Sequence, residues 1–213
     1  MSSQKRPYEL KARAERQLET RRRIVDATVA LHEEVGPART TVAEIARRAG
    51  VTRLTVYNHF PEDAELFAAC QGEFLARHPP PDLGPALALQ DPGERIRVVL
   101  CGLYAGYRAR APMTSKVLRD RSAIPALDEL MARTADVHMA GLADALAAGF
   151  GVDDAAAAAR VRVRAAVALA LDFATWARLT GEGLGDMSAA ALMADLVTTG
   201  ATAGTAAARG DAA

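Results

Sequence analysis

The sequence predicts an all-α protein, for three reasons. Half of its 213 residues are hydrophobic while only 5% are aromatic, and alanine is abundant, a composition that suits closely packed helices better than a β-sandwich. Apolar residues recur at helical spacing, as in Val42, Ile45, Ala46 and Ala49. Glycine and proline gather at a few points, among them Gly36-Pro37, Gly50, Gly149-Phe150-Gly151 and Gly181-Glu182-Gly183, and leave long uninterrupted stretches between. A chain of this length can bury a real core, as one large domain or two small ones.

Pro7 suits a first helical turn, and nothing from Tyr8 to Val35 breaks a helix. One long helix is expected there, polar in its first half and amphipathic from Ile24 to Leu31. Gly36 and Pro37 stop it. Thr40 or Thr41 caps the next helix, with Glu44 completing a capping box on Thr41. Gly50 ends this second helix. Thr52 caps a third short helix to about His59, and Phe60-Pro61 turns the chain into a fourth through Leu66, Phe67, Cys70, Phe74 and Leu75. His78 to Leu83 reads HPPPDL, where consecutive prolines forbid a helix, so the boundary between two domains is expected here. Further helices are expected over 92–109, 124–150, 153–180 and 188–206. The domains are thus 1–78, with 1–7 as a flexible arm, and 79–206, followed by a disordered tail over 207–213.

Charge is unevenly shared. Up to Phe60 there are 12 Lys and Arg against 7 Asp and Glu, a net of +5, and the remainder carries 14 against 19, a net of −5. A basic front on an otherwise acidic chain is the footprint of a protein whose front approaches a polyanion. Met1 to Arg23 is charged throughout, unlike a signal peptide, and no apolar run approaches the roughly 18 residues of a membrane span, so a cytoplasmic protein is expected. Cys70 and Cys101 have no metal-ligand spacing and are expected to be buried free thiols. No HExxH, GxSxG, P-loop or dinucleotide-binding glycine pattern is present. No enzymatic activity, metal or cofactor is therefore expected.

The segment Ala46 to Phe60, ARRAGVTRLTVYNHF, packs polar groups densely behind a glycine break. A helix, a glycine turn and a second short helix is the arrangement in which the second helix enters the major groove of DNA. Ile45, Ala46, Ala49, Val51 and Val56 would form the dry interior of such a unit, leaving Thr52, Arg53, Leu54, Thr55, Tyr57 and Asn58 facing outward. Hydroxyl and amide groups in a first helical turn are placed to bond phosphate oxygens. Arg53 suits guanine and Leu54 a thymine methyl.

The stretch AEIARRAGVTRLTVYNHF resembles the helix-turn-helix of the TetR family of transcriptional regulators, whose pattern is a turn glycine, then Val-Ser/Thr-x-Gly-Thr-Leu-Tyr-x-His-Phe. The likeness covers roughly the first 75 residues. It implies an N-terminal three-helix DNA-binding domain and a C-terminal helical domain for ligand binding and dimerisation. By this resemblance Thr41, Thr55, Tyr57 and His59 fall at phosphate-contacting positions, and Thr52, Arg53, Leu54 and Asn58 where sequence is read. Two departures stand out. Leu54 replaces the frequent glycine, where it either reads a base or packs. Asp63 replaces a lysine or arginine, so a phosphate contact is missing and affinity leans instead on Arg47, Arg48 or the N-terminal arm. Arg47, Arg48 and the run Arg21-Arg22-Arg23 are alternatively a solvated face.

The resemblance further implies a homodimer on a palindromic operator, released by a small-molecule effector and acting as a repressor. The partner would dock on the helices at about 153–180 and 188–205, where Val163, Val167, Leu171 and Ala174 share one side and Ala165, Ala168, Leu169, Thr175, Trp176 and Leu179 another. Alternatively both sides belong to one monomeric core. Tyr104, Tyr107, Met113, Phe173, Asp172 and Trp176 are the expected effector-lining residues, with His138 on the surface. Asp172, which interrupts an apolar run, is expected to pair with an arginine, face solvent or receive a ligand. The competing reading is a ligand-independent, architectural DNA-binding protein.

Overall fold

The computed structural model describes residues 5–151 and 157–210, so the start of the expected arm and the last three residues of the expected tail lie outside the described residues. All regular structure among those residues is helical. In chain order the helices are α1 (Lys5–Glu34), α2 (Val42–Ala49), α3 (Arg53–His59), α4 (Asp63–Arg77), the single turn α5 (Gly84–Leu87), α6 (Pro92–Asp120), α7 (Pro125–Met131), α8 (Val137–Ala148), α9 (Ala157–Leu171), α10 (Phe173–Gly181) and α11 (Asp186–Gly210). The chain divides into two compact units. One holds residues 1–79 and 111–131, the other 80–110 and 132–213. No described helix is long and apolar enough to cross a membrane.

The first unit is built on the amphipathic part of α1. Ile24, Val25, Ala27, Val29 and Leu31 bury more than half of its circumference in a core with Ile45, Ala46 and Ala49 of α2, Val56 of α3, and Leu66, Cys70 and Phe74 of α4. The small side chains of Ala46 and Ala49 let α1 and α2 approach closely. Met113 belongs to this same core, and Val117 packs against it.

That burial accounts for one departure from the sequence expectation. The sequence pattern predicts a helix ending near Ala109, but α6 runs on through Pro112 to Asp120. Proline inside a helix costs about 3 kcal/mol. Burial of Met113 offsets part of it, and beyond it Asp120, 6% exposed, fixes the end of the helix. Its carboxylate accepts bonds from Arg119 Nε (2.6 Å) and from the backbone N–H of Ala38 (3.0 Å). These contacts hold the carboxyl below the usual aspartate range, Arg119 contributing most. They close over Gly36, whose φ of 92° favours glycine and whose missing Cβ would lie 2.5 Å from Arg119.

Beyond α6 the chain differs from expectation in three places. The stretch expected as one helix over 124–150 is α7 and α8 separated by a π-helical turn, Ala132–Asp136, at the division between units. The helix expected over 153–180 is broken at Asp172, which adopts an extended conformation and accepts the Ala174 N–H, capping α10. The last helix begins at Asp186 and continues to Gly210, four residues into the stretch expected as a tail.

The break at Asp172 leaves α9 carbonyls without helical partners. Tyr104 donates its hydroxyl to the Ala170 carbonyl (2.7 Å) and Tyr107 to that of Leu171 (2.5 Å). Burial, followed by the neighbouring Asp172 charge, pushes both phenols well above their ordinary range. Arg108 grips Asp186 with two bonds (2.6 and 2.8 Å), and the Trp176 indole donates to the same carboxylate (2.9 Å). Arg108 holds the Asp186 carboxyl below its usual range, with Trp176 adding to the effect.

Candidate nucleic-acid interface

The turn between α2 and α3 follows from Gly50. At φ 66° and ψ 40° it sits in the left-handed region, where its N–H returns to the carbonyls of Ala46 and Arg47. A side chain there costs roughly 1 kcal/mol or more. Val51 N–H also bonds the Ala46 carbonyl (2.9 Å), and Arg23 reaches from α1 to the Ala49 carbonyl (2.9 Å). At the α2 terminus the carbonyls of Ala46, Arg47 and Ala49 are thus bonded.

At the start of α2, Thr41 accepts the Glu44 N–H (3.2 Å). The reciprocal half of the expected capping box is absent, because the Glu44 carboxylate turns to Arg47 (2.6 and 2.9 Å). A bidentate charged partner is a stronger attraction than one backbone N–H. Thr52 caps α3 by accepting the Thr55 N–H (3.1 Å), and the two hydroxyls lie 2.9 Å apart. Between them, two hydroxyls use one hydrogen, so one O–H remains to donate outward.

The outward face of α3 matches the sequence expectation closely. Thr52, Arg53, Leu54, Tyr57 and Asn58 are exposed, Thr55 and His59 are half-buried, and Val56 and Phe60 close the core beneath. Leu54 is 67% exposed, so it does not pack into this chain's core. Arg53 has no carboxylate partner among the described residues. Thr41 is exposed at the α2 terminus.

Arg48 and Arg47 lie elsewhere in the electrostatic scheme. Both are exposed, but Arg48 clasps Glu34 with two bonds (2.6 and 2.8 Å), as Arg47 clasps Glu44. These pairs hold both glutamates below their usual range. Arg48, expected as a DNA contact, is therefore engaged within the molecule.

Sequence reasoning did not place the first half of α1 against α3. Its residues Ala14, Gln17, Leu18 and Arg21 run beside Thr55, Asn58 and His59 of α3 and enclose an open groove of ≈ 550 Å³. Arg21 donates to the His59 carbonyl (2.8 Å), and its guanidinium lies 4.0 Å from the centre of the Phe60 ring. A cation at the last carbonyls of α3 suits the helix dipole. The i, i+3, i+4, i+7 spacing of Ala14, Gln17, Leu18 and Arg21 was legible in sequence, but not what it faces.

The residues expected to line an effector site divide between the units. Tyr104, Tyr107, Phe173 and Trp176 form one aromatic cluster, with Tyr107 5.4 Å from Phe173 and 5.9 Å from Trp176 between ring centres. Met113 is not with them, since it packs in the first unit's core. Asp172 is exposed and caps α10, and His138 is exposed.

The family profile described as "Bacterial regulatory proteins, tetR family" matches residues 24–70. An uncharacterized HTH-type transcriptional regulator of Pseudomonas putida, TtgW, is 40% identical over 101 residues, which are 47% of this chain and 72% of that protein. The HTH-type transcriptional regulator TtgR of the same species is 49% identical over 51 residues, 24% of either chain. AcrR of Shigella flexneri is 42% identical over 50 residues, 24% of this chain and 23% of its own. The chain thus spans about a quarter of the length of TtgR and AcrR. Over nearly the whole chain the fold is similar to that of NalD, described as the secondary repressor of the MexAB-OprM multidrug efflux pump in Pseudomonas aeruginosa. Its TM-score is 0.57 at 23% identity, covering 87% of this chain and 97% of NalD. A transcriptional regulator from Rhodococcus sp. Rha1 gives a TM-score of 0.52 at 23% identity, covering 84% and 96%. With a capped, glycine-turned helix pair inside the matched segment, an all-helical fold around it and a relative matched over most of its length, the chain belongs to the TetR family of bacterial transcriptional regulators.

Proposed function

We infer that this protein is a ligand-responsive repressor that binds a palindromic operator as a homodimer, with α3 in the major groove of each half-site. The observation that carries the reading is the face of α3. Five side chains, Thr52, Arg53, Leu54, Tyr57 and Asn58, stand exposed on a helix that Gly50 and two threonine caps fix in place. Thr41, Thr55, Tyr57 and His59 bond phosphates, while Arg53, Leu54 and Asn58 meet base edges. Sites selected from a random duplex library supply the operator for the test. On that operator Arg53→Ala is expected to cost about 1 to 3 kcal/mol and to relax preference at one base pair. Tyr57→Phe is expected to weaken all duplexes alike. Equal losses on random DNA from the arginine variant would show that Arg53 reads no base.

The dimer reading rests on α9 and α11, which pack on each other. Val161, Ala165 and Leu169 share a stripe of α9, and Leu192 and Leu196 share one of α11. Leu169 is 59% exposed and Leu196 57%, and such paired apolar stripes suit a two-fold, self-complementary contact. Of the two sides of the expected helix, the one carrying Val163, Val167 and Leu171 is buried in this chain's own core. A Leu169→Arg/Leu196→Arg double variant is therefore expected to sediment as a folded monomer. A dimer of unchanged size would remove this interface from the proposal.

For the effector, the Tyr104, Tyr107, Phe173 and Trp176 cluster favours a flat, apolar molecule. Binding there competes with the tyrosine bonds to Ala170 and Leu171, so it favours a second conformation of the α9–α10 break and lowers operator affinity by its differential affinity for the two states. An architectural, ligand-independent role predicts that no small molecule changes operator affinity.

A further inference from the structure

We propose that the first half of α1 is a second DNA-contacting element, gripping the phosphodiester backbone of the same duplex through Lys11 and Arg13. The inference rests on the DNA-binding reading above and adds the source of its electrostatic attraction. Residues 24–60, which hold the whole helix-turn-helix, carry four Lys and Arg and four Asp and Glu. Two of those arginines, Arg47 and Arg48, are already bound to Glu44 and Glu34. Helix α4 opens with Glu62, Asp63 and Glu65, which repel phosphate. The entire net charge of +5 in the first sixty residues therefore resides in residues 5–23, with eight basic and three acidic side chains.

The structure places the stretch from Ala14 to Arg21 of this segment beside the reading helix. Ala14, Gln17, Leu18 and Arg21 line the groove against Thr55, Asn58 and His59, and Arg21 ties the two helices together at the His59 carbonyl. At about 100° per residue, Lys11 and Arg13 stand on the two shoulders of this stripe one turn earlier, while Arg16 points to the opposite side. Lys11, Arg13 and Arg16 are exposed, and none has a carboxylate partner among the described residues. Arg16 bonds back to the Ala12 carbonyl. The core begins only at Ile24, so this segment is not needed to bury the first unit. A DNA backbone passing Thr55 and His59 meets Gln17 in the groove and the two cations on its rims. Neutralising a phosphate releases condensed counterions, so each such contact steepens the salt dependence of binding.

The test uses the full chain and a labelled duplex, titrated across salt concentrations, with circular dichroism confirming that each variant is folded. For Lys11→Ala/Arg13→Ala, the slope of log affinity against log salt is expected to shrink by about 2 per protomer, from about 0.9 per phosphate contact. Preference for the selected operator over random duplex should be retained. Arg16→Ala should leave the slope nearly as it was. An unchanged slope for the double variant, or an equal change for Arg16→Ala, would overturn the contact. If Arg53→Ala still behaves as a base reader in that case, the DNA-binding reading survives alone. If the parent protein fails to bind any duplex at low salt, both fall.

Discussion

Replacing Leu171 by arginine is expected to unfold the second unit, whereas the same change at Leu169, two residues away, leaves the fold intact. Leu171 is 2% exposed, and its carbonyl receives the Tyr107 hydroxyl at the end of α9. Truncating a buried leucine alone costs about 2 to 5 kcal/mol. A guanidinium without a buried partner adds a desolvation penalty of several kcal/mol more. The sum exceeds much of the roughly 5 to 15 kcal/mol that a domain typically has. Leu169 points away from that core and has no such penalty. Urea titration followed by circular dichroism should show a collapsed transition for Leu171→Arg and a retained, cooperative one for Leu169→Arg. Cooperative unfolding of Leu171→Arg at the parent's midpoint would mean that α9 is packed the other way round.

The second large effect is on pH. His32 lies 4% exposed in the core of the first unit, with Nδ1 3.4 Å from the Cys70 sulfur and its ring stacked on Phe67 at 5.7 Å. Burial lowers its pKa from 6.5 to about 4, against a weaker opposing pull from Asp120. The unfolded chain therefore binds a proton that the folded one refuses, so stability falls with acidity. Above pH 6.5 the imidazole is neutral in both states and costs nothing. Between pH 6.5 and about 4 the first unit is expected to lose about 3 kcal/mol, at roughly 1.36 kcal/mol per pKa unit.

Paired carboxylates behave with the same sign but lower down. Asp120 and Asp186 are held below their ordinary range, so what they contribute is lost as pH falls through those lowered values. The part of the window above the ordinary carboxylate range thus belongs to His32. His32→Phe keeps an aromatic ring against Phe67 and should flatten the dependence between about pH 6.5 and 4.5 in urea titrations. A variant with the parent's slope would place the titrating group elsewhere. Cys70 takes no part as a thiolate, since burial pushes its thiol up to about 12.

The sequence by itself determined the local structure and the outward face of α3. The Gly50 turn, the caps by Thr41 and Thr52 and the exposure of Thr52, Arg53, Leu54, Tyr57 and Asn58 all depend on groups within a few residues of one another. Propensity, capping and periodicity act at that range, so a single sequence displays them. What only the tertiary structure decided involves partners far apart in the chain. Glu34 claims Arg48 across fourteen residues, and Arg21 meets His59 across thirty-eight. The Met113 side chain, and with it the passage of α6 through Pro112, is drawn into the first unit by a core assembled from α1 to α4. Tyr104 and Tyr107 secure the α9 break from more than sixty residues away. Such choices are made by burial and by the cost of leaving a polar group unpaired, and both are properties of the packed chain, to which spacing along the sequence is blind.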